Sequence, residues 1–332
     1  MDKKKIKFSQ IKISKPTMLV IKLVTAVLLL AFPLYVQNSY YQHVAVMCGI
    51  YIVLTLSLNL VSGFAGQLSM GHAAFYGIGA YVTGLMMTKE GMNFWLTLLF
   101  SMLITGVFGL LLGLPTSRLK GDYFTIVTLG AGEIVRMFLV NQDTITNGAM
   151  GVSGIGAPML FGIELYSDTA FYYMILALVV IVLIFLSRLI RSGFGLAMMT
   201  IREDEIAAQA IGIRPMKYKL LAFVISAMIA GLAGSFYASY VTYISPNTFV
   251  FNDSATMLAM MVLGGIGSIP GSVIGAVLLT ILPEVLRSLS DYRMIIYGLA
   301  MVIMMNVRPT GFYGAEKRIR NSYQLLTGGK RK

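Results

Sequence analysis

Cysteine is almost absent from the 332 residues, with Cys48 standing alone. One thiol cannot close a disulfide within the chain or build a cysteine-ligated metal or redox centre, which excludes a disulfide-stapled secreted domain. Histidine is too scarce for a multi-histidine metal site, since only His43 and His72 are present. Charge is scarce too. Charged residues make up 12% of the chain, against roughly 25% in soluble globular domains. Acids are the scarcer sign, 14 against 26 Lys and Arg, a net +12. With 57% hydrophobic residues and a mean hydropathy of +0.78, too few charges remain to solvate a surface. A soluble enzyme and a disordered chain are both excluded, and most of the surface is expected to face lipid.

The charges that are present cluster. Residues 1–22 hold seven Lys and one acid, 188–219 hold six Lys/Arg and three acids, and 308–332 hold seven Lys/Arg and one acid. A nucleic-acid binder would carry its basic face on a soluble fold with interleaved aromatics. Here the basic windows flank apolar runs, so membrane lipid is the expected partner and nucleic acid is not. Lys- and Arg-rich loops stay in the cytoplasm by the positive-inside rule.

A transmembrane helix needs ~20 mostly apolar residues. Runs of that kind lie near 17–36, 44–62, 68–88, 94–114, 122–140, 169–188 and 218–241. Two shorter runs, 255–267 and 271–287, flank a Gly/Pro break, and a last run lies near 293–307. Open sheet edges are not tolerated in lipid, and the ~10-residue alternation of a barrel is missing. The expected fold is therefore an all-α polytopic membrane bundle with broken or re-entrant segments. The first run looks like a signal peptide but continues to Val36 without a small-residue cleavage pattern, so it reads as an uncleaved span. The 37–43, 141–168 and 242–254 segments contain no Lys or Arg, whereas Arg118, Lys120 and the 189–217 loop are basic. Two crossings within 255–287 then place both termini in the cytoplasm, with about ten membrane segments. The expected organisation is a basic segment 1–16, a membrane domain 17–307 and a basic tail 308–332.

Three features carry more than topology. In Asn59–Tyr81, the glycines Gly63, Gly66, Gly71, Gly77 and Gly79 each weaken a helix by ~1 kcal/mol, and Gln67, Ser69 and His72 add polar side chains. Such breaks are tolerated in lipid where backbone is buried in protein or lines a cavity. The stretch reads either as a discontinuous helix on a solute path or as close packing through small residues. His72 alone reads better as a packed, hydrogen-bonded residue than as a ligand. In Leu263–Ala276, Gly264, Gly265, Gly267 and Gly271 surround Pro270, and Gly267, Gly271 and Gly275 are spaced to share one helix face. This is a packing face or a second broken segment that echoes Gly63-x-x-Gly66. In Gly193–Pro215, a helix over 201–212 is expected. Glu203, Asp204 and Glu205 suit its first turn, and Gly212 and Pro215 end it. An acidic, alanine-rich helix fits a protein groove better than lipid headgroups.

At these residues the chain resembles the inner-membrane permeases of branched-chain amino acid ABC transporters, the LivM/LivH family, and is closer to the LivM type. The likeness includes Gly121-Asp122-Tyr123-Phe124, Asn147-Gly148-Ala149 with Gly151, Gly154 and Ile155, and Asn306-Val307-Arg308-Pro309-Thr310-Gly311. It implies a bacterial cytoplasmic-membrane permease for leucine, isoleucine or valine that works by alternating access. The partners it implies are a second homologous permease, two cytoplasmic ATPase subunits and an extracytoplasmic solute-binding protein. The inner loop resembles the coupling segment Glu-Ala-Ala-x-x-x-Gly of import permeases. Ala207, Ala208 and Gly212 match it, Ile206 stands where the pattern has Glu, and Glu205 lies one place earlier.

No cofactor is expected. The chain has no G-x-x-x-x-G-K-[ST] phosphate loop, and Gly328-Gly329-Lys330 lacks its spacing. ATP hydrolysis is therefore expected on partner subunits and not on this chain. Two other readings stay open: a permease for urea or short amides, and an ion-coupled secondary carrier using Glu133, which at i, i+3 can face Arg136 on one helix side.

Overall fold

A computed structural model describes residues 27–36, 38–119, 121–160 and 163–285, together with 298, 299 and 302. The basic segment 1–16, the first half of the first expected run, Lys120, most of the run 293–307, the tail 308–332 and the Asn306–Gly311 motif lie outside the described residues. Residues 27–35 are helical. The principal helices that follow among the described residues are α1 (Ser39–Leu58), α2 (His72–Lys89), α3 (Phe94–Thr116), α4 (Asp122–Asn141), α5 (Asp168–Arg191), α6 (Gly193–Glu203), α7 (Glu205–Ala210), α8 (Pro215–Val241), α9 (Phe251–Gly264) and α10 (Ile269–Val285). Among the described residues, five helices are long and apolar enough to cross a membrane: α1 with its π-helical extension to Phe64, α3, α4, α5 and α8.

Helices α1 and α8 form the centre. Most of α1 from Val46 onward is buried, and α8 packs against α1, α2 and α3. Small residues set the closeness of these contacts. A Cβ at Gly79 of α2 would lie 2.3 Å from the Gly231 carbonyl oxygen of α8, so only glycine lets the two backbones meet. Hydroxyls bind the same seam, because apolar burial gives no net drive for helix association in lipid. Ser101 Oγ donates to the carbonyls of Gly79 (3.1 Å) and Gly231 (2.9 Å), and Thr83 Oγ1 donates to Ser235 Oγ at 2.7 Å. Helices α3 and α5 turn apolar faces outward, among them Leu99, Leu103, Val107 and Leu111 on one and Ile181, Ile184 and Phe185 on the other.

The connections sort to two ends of the bundle. At one end, Lys89 Nζ donates to the carbonyls of Thr144 and Ile145. There β1 (Val152–Ser153) pairs antiparallel with the later strand Tyr243–Ile244, and Tyr40 Oη donates to the Glu284 carboxylate. At the other end, residues 65–67, Leu119, Gly121, Ile201, Arg202, Glu205 and Lys219 are among those that surround one cavity. The loops that the charge pattern puts on one side thus do share an end.

Residues 255–287 were expected to hold two short helices, and α9 and α10 are these, reversing at 265–268. The partners Gly264 with Gly271 and Met260 with Gly275 show that they run antiparallel. One expectation is corrected. Gly267 does not share a helix face with Gly271 and Gly275, because it lies in the turn with φ +75°, a conformation glycine adopts without steric cost.

The close α2–α8 contact predicts that Gly79→Val lowers the melting temperature of the purified protein by several degrees or prevents folded protein from accumulating. Gly130→Ala on α4, where a Cβ would meet nothing within 4 Å, should leave it unchanged. Equal melting temperatures for all three proteins would refute this account of the seam.

Candidate functional site

Helix α1 does not end cleanly. Its last turn widens into a π-helix, Asn59–Phe64, and the chain then runs irregularly through 65–71 before α2 starts at His72. The start of α2 lies inside the bundle, so its backbone N–H groups need partners from the protein. Side-chain hydroxyls supply them. Met70 N–H donates to Thr128 Oγ1 at 3.2 Å, Ala73 N–H to Ser254 Oγ at 2.8 Å and Ser69 N–H to Ser62 Oγ at 3.2 Å. In return Thr125 Oγ1 donates to the Leu68 carbonyl at 2.9 Å.

The two glycine breaks meet. Asn59 is fully buried and uses its whole carboxamide on the 265–272 segment. Its Nδ2 donates to the Ser268 carbonyl (3.1 Å) and to Ser272 Oγ (2.8 Å), and its Oδ1 accepts from Gly267 N–H at 2.8 Å. A Cβ on Gly63 would lie 2.6 Å from Gly267 N, and a Cβ on Gly267 would lie 3.1 Å from the Gly63 carbonyl oxygen. The faint echo between the two sequence segments thus corresponds to a direct contact. Other expected path residues have packing or capping roles here. Gly264 and Gly271 form the α9–α10 contact, where a Cβ on Gly264 would lie 2.0 Å from the Gly271 carbonyl oxygen. A Cβ on Gly71 would lie 2.0 Å from the Thr128 carbonyl oxygen, and Gly265 opens the reversal with φ +124°.

His72 is buried and its Nε2 lies 2.7 Å from Ser57 Oγ. Ser57 is held in turn by Ser226, whose Oγ donates to the Ser57 carbonyl at 2.6 Å. The buried atoms His72 Nδ1, Gln67 Oε1 and Ser69 Oγ have no hydrogen-bond partner among the described residues.

The basic loop is built differently from the single helix expected over 201–212. Asp204 breaks it, with φ −153° and ψ 110°. Its carboxylate accepts from Ile206 N–H (2.8 Å) and Ala207 N–H (3.0 Å), so it is the N-cap of α7 and not a first-turn acid. Glu203 closes α6, and Glu205 opens α7 and pairs with Lys219 of α8 at 3.0 Å. Ala208 is buried, whereas Ala207 is exposed. The expected stop holds: Gly212 lies two residues past the end of α7 with φ +85°, and Pro215 starts α8. Two large apolar side chains point outward here, Ile206 at 77% and Ile211 at 71% exposure.

Arg202, near the end of α6, joins this loop to the breaks. Its Nη1 donates to the Gly63 carbonyl. A cavity of about 220 Å³ lies alongside, lined by Gly66, Gln67, Phe124, Arg202, Glu205 and Lys219 among others. On α4, Arg136 Nε donates to Glu133 Oε2 at 2.8 Å, with the side chains 22% and 38% exposed respectively. Reading the sequence singled out the glycines but missed Asn59, Thr125, Thr128, Arg202 and Ser254. The available signal was a polar side chain within an apolar run, which in lipid needs a partner.

Residues 40–305 match the family described as branched-chain amino acid transport system, permease component. The high-affinity branched-chain amino acid transport system permease protein LivM of Salmonella typhimurium is 41% identical over 308 residues, covering 86% of this chain and 72% of that protein. The probable LivM of Methanocaldococcus jannaschii is 25% identical over 312 residues, covering 79% and 90%. The permease protein LivH of Salmonella typhimurium is 25% identical over 284 residues, covering 80% and 91%. No solved structure matches. Both breaks and the α6–α7 loop fall inside the matched residues.

The buried carboxamide generates a prediction. Asn59→Leu keeps the volume but strands Gly267 N–H, at a cost on the order of 2 kcal/mol. A lower melting temperature and faster amide hydrogen exchange over 263–272 are expected. Unchanged exchange in that segment would show that Asn59 does not hold the two breaks together.

Proposed function

The chain belongs to the permease family of branched-chain amino acid transport systems, and from that premise we propose that it is a membrane-spanning subunit of an ATP-driven importer of leucine, isoleucine or valine. One observation carries the ATP-driven part. The α6–α7 loop is too short and polar to cross a membrane, yet it exposes Ile206 and Ile211 beside the acids Glu203, Asp204 and Glu205. A capped helix with an outward apolar face suits docking into a protein groove. The occupant is a cytoplasmic ATPase, of which the complete importer carries two. The basic residues of this loop support a cytoplasmic position for its end of the bundle by the positive-inside rule.

A second homologous permease completes the path. Helix α4 supports this, because its outer face differs from those of α3 and α5. It has the lowest mean hydropathy of the five long helices, 1.5, and carries the partly exposed Glu133–Arg136 pair. Ionised side chains at mid-span cost several kcal/mol against lipid, so protein or water is the better neighbour. At the opposite end, the 142–160 segment, tied down by the β1 pairing with Tyr243–Ile244, offers a surface to an extracytoplasmic binding protein.

Transport then proceeds by alternating access. The binding protein releases a zwitterionic amino acid at the outer end, ATP binding moves the docked loop, and the paired breaks open or close the inner end. Glu133 needs no role as a proton carrier, since Arg136 neutralises it within its own helix.

The expected outcome in vesicles containing permeases, ATPases and binding protein is leucine uptake that survives an uncoupler and stops with vanadate. Ala207→Arg, on the exposed face of α7, should remove ATPase co-purification and uptake while membrane insertion persists. Uptake that collapses with the uncoupler at constant ATP, or normal uptake by the Ala207→Arg protein, would overturn the proposal.

A further inference from the structure

The loop reaches both breaks through one side chain. Arg202 Nη1 donates to the Gly63 carbonyl. A Cβ on Gly267 would lie 2.6 Å from the same nitrogen, and a Cβ on Gly66 would lie 3.1 Å from Arg202 Cγ. The Arg202 side chain thus lies against glycines of both breaks, its stem beside Gly66 and its guanidinium beside the Gly63 carbonyl and Gly267. Its choice of acceptor has a physical basis. Gly63 lies in the last turn of a helix, where carbonyls lack intrahelical partners and the helix dipole favours a cation. Glycine at 66 and 267 leaves the space that the side chain occupies.

The loop's ion pair does a different job. Lys219 and Glu205, 3.0 Å apart, hold α7 to α8. Behind Gly63 the connection continues inward. Asn59, one turn earlier in the same π-helix, holds Gly267 N–H and the Ser268 carbonyl. A displacement of α6 therefore has a continuous polar route from Arg202 to Gly63, then through Asn59 to the 265–268 turn. The cavity of about 220 Å³ beside Arg202 gives the guanidinium room to change its position.

We propose that Arg202 is the positioning residue that transmits movement of the α6–α7 loop to the two glycine breaks. The inference rests on the reading of that loop as the ATPase-docking element. It adds a separate claim, that docking and transmission belong to different residues: Ile206, Ala207 and Ile211 meet the ATPase, and Arg202 carries the motion into the bundle. The guanidinium's fork of donors suits a backbone carbonyl better than a point charge does, so lysine should replace it only in part.

The experiment uses the complete importer in vesicles and measures ATP hydrolysis and leucine uptake together. The proteins compared are wild type, Arg202→Met, Arg202→Gln, Arg202→Lys and Ala207→Arg. The methionine and glutamine variants should retain ATPase co-purification and hydrolysis. Leucine moved per ATP should fall by about tenfold or more, the size expected when a charge-assisted hydrogen bond is lost from the moving step. The lysine variant should recover part of the ratio. Wild-type leucine-to-ATP ratios in both neutral variants would overturn the proposal, and so would loss of ATPase co-purification, which would make Arg202 a docking residue. Failure of the underlying reading looks different: the Ala207→Arg protein would then keep its ATPase and its uptake.

Discussion

Backbone that leaves a helix inside a bilayer has no water to bond, so its partners must come from the protein. The rest of this structure is arranged around that constraint at residues 59–71 and 265–268. Thr125 and Thr128 of α4, Ser254 of α9 and Ser62 serve the first break. Asn59 serves the second. Because the donors and acceptors come from α1, α4 and α9, the breaks cannot change shape without those helices responding. The same requirement explains why hydroxyls and a carboxamide sit in runs that are otherwise apolar.

Glycine supplies the other half of the arrangement. At the α2–α8 and α9–α10 contacts it lets backbones approach closely, which makes rigid seams. Where Gly63 meets Gly267 it leaves a gap that an arginine from the adjoining loop enters. Rigid seams on either side of a polar junction give a bundle in which motion is concentrated at the junction. The proposed coupling needs that property, because energy delivered at α6–α7 would have to act on the path without unfolding the helices between.

Much of this was legible in the sequence. Apolar run lengths locate α1, α3, α4, α5 and α8, since each run's length is set by the bilayer. Charge placement called for two short helices in 255–287, and Gly267 with Pro270 marked the reversal. The loop's stop at Gly212 followed from helix-ending chemistry. Other features were illegible because they depend on partners far along the chain. Asn59 and Gly267 are 208 residues apart, and no local pattern connects them. Asp204 sits between two other acids, and composition could not tell a first-turn acid from an N-cap; its backbone at ψ 110° decides it. Gly267 has the same spacing from Gly271 as Gly271 has from Gly275, so periodicity joined all three, whereas its positive φ removes it from the helix.

The central claim is that the two breaks act as one unit, linked by Asn59 and driven through Arg202. Amide hydrogen exchange of the complete importer, compared between nucleotide-free and ATP–vanadate-trapped states, tests it most directly. The account predicts that peptides covering 59–71 and 263–272 change protection together on trapping, while the α2–α8 seam around Gly79 and Gly231 stays protected. A change confined to one of the two segments, or none in either, would contradict it.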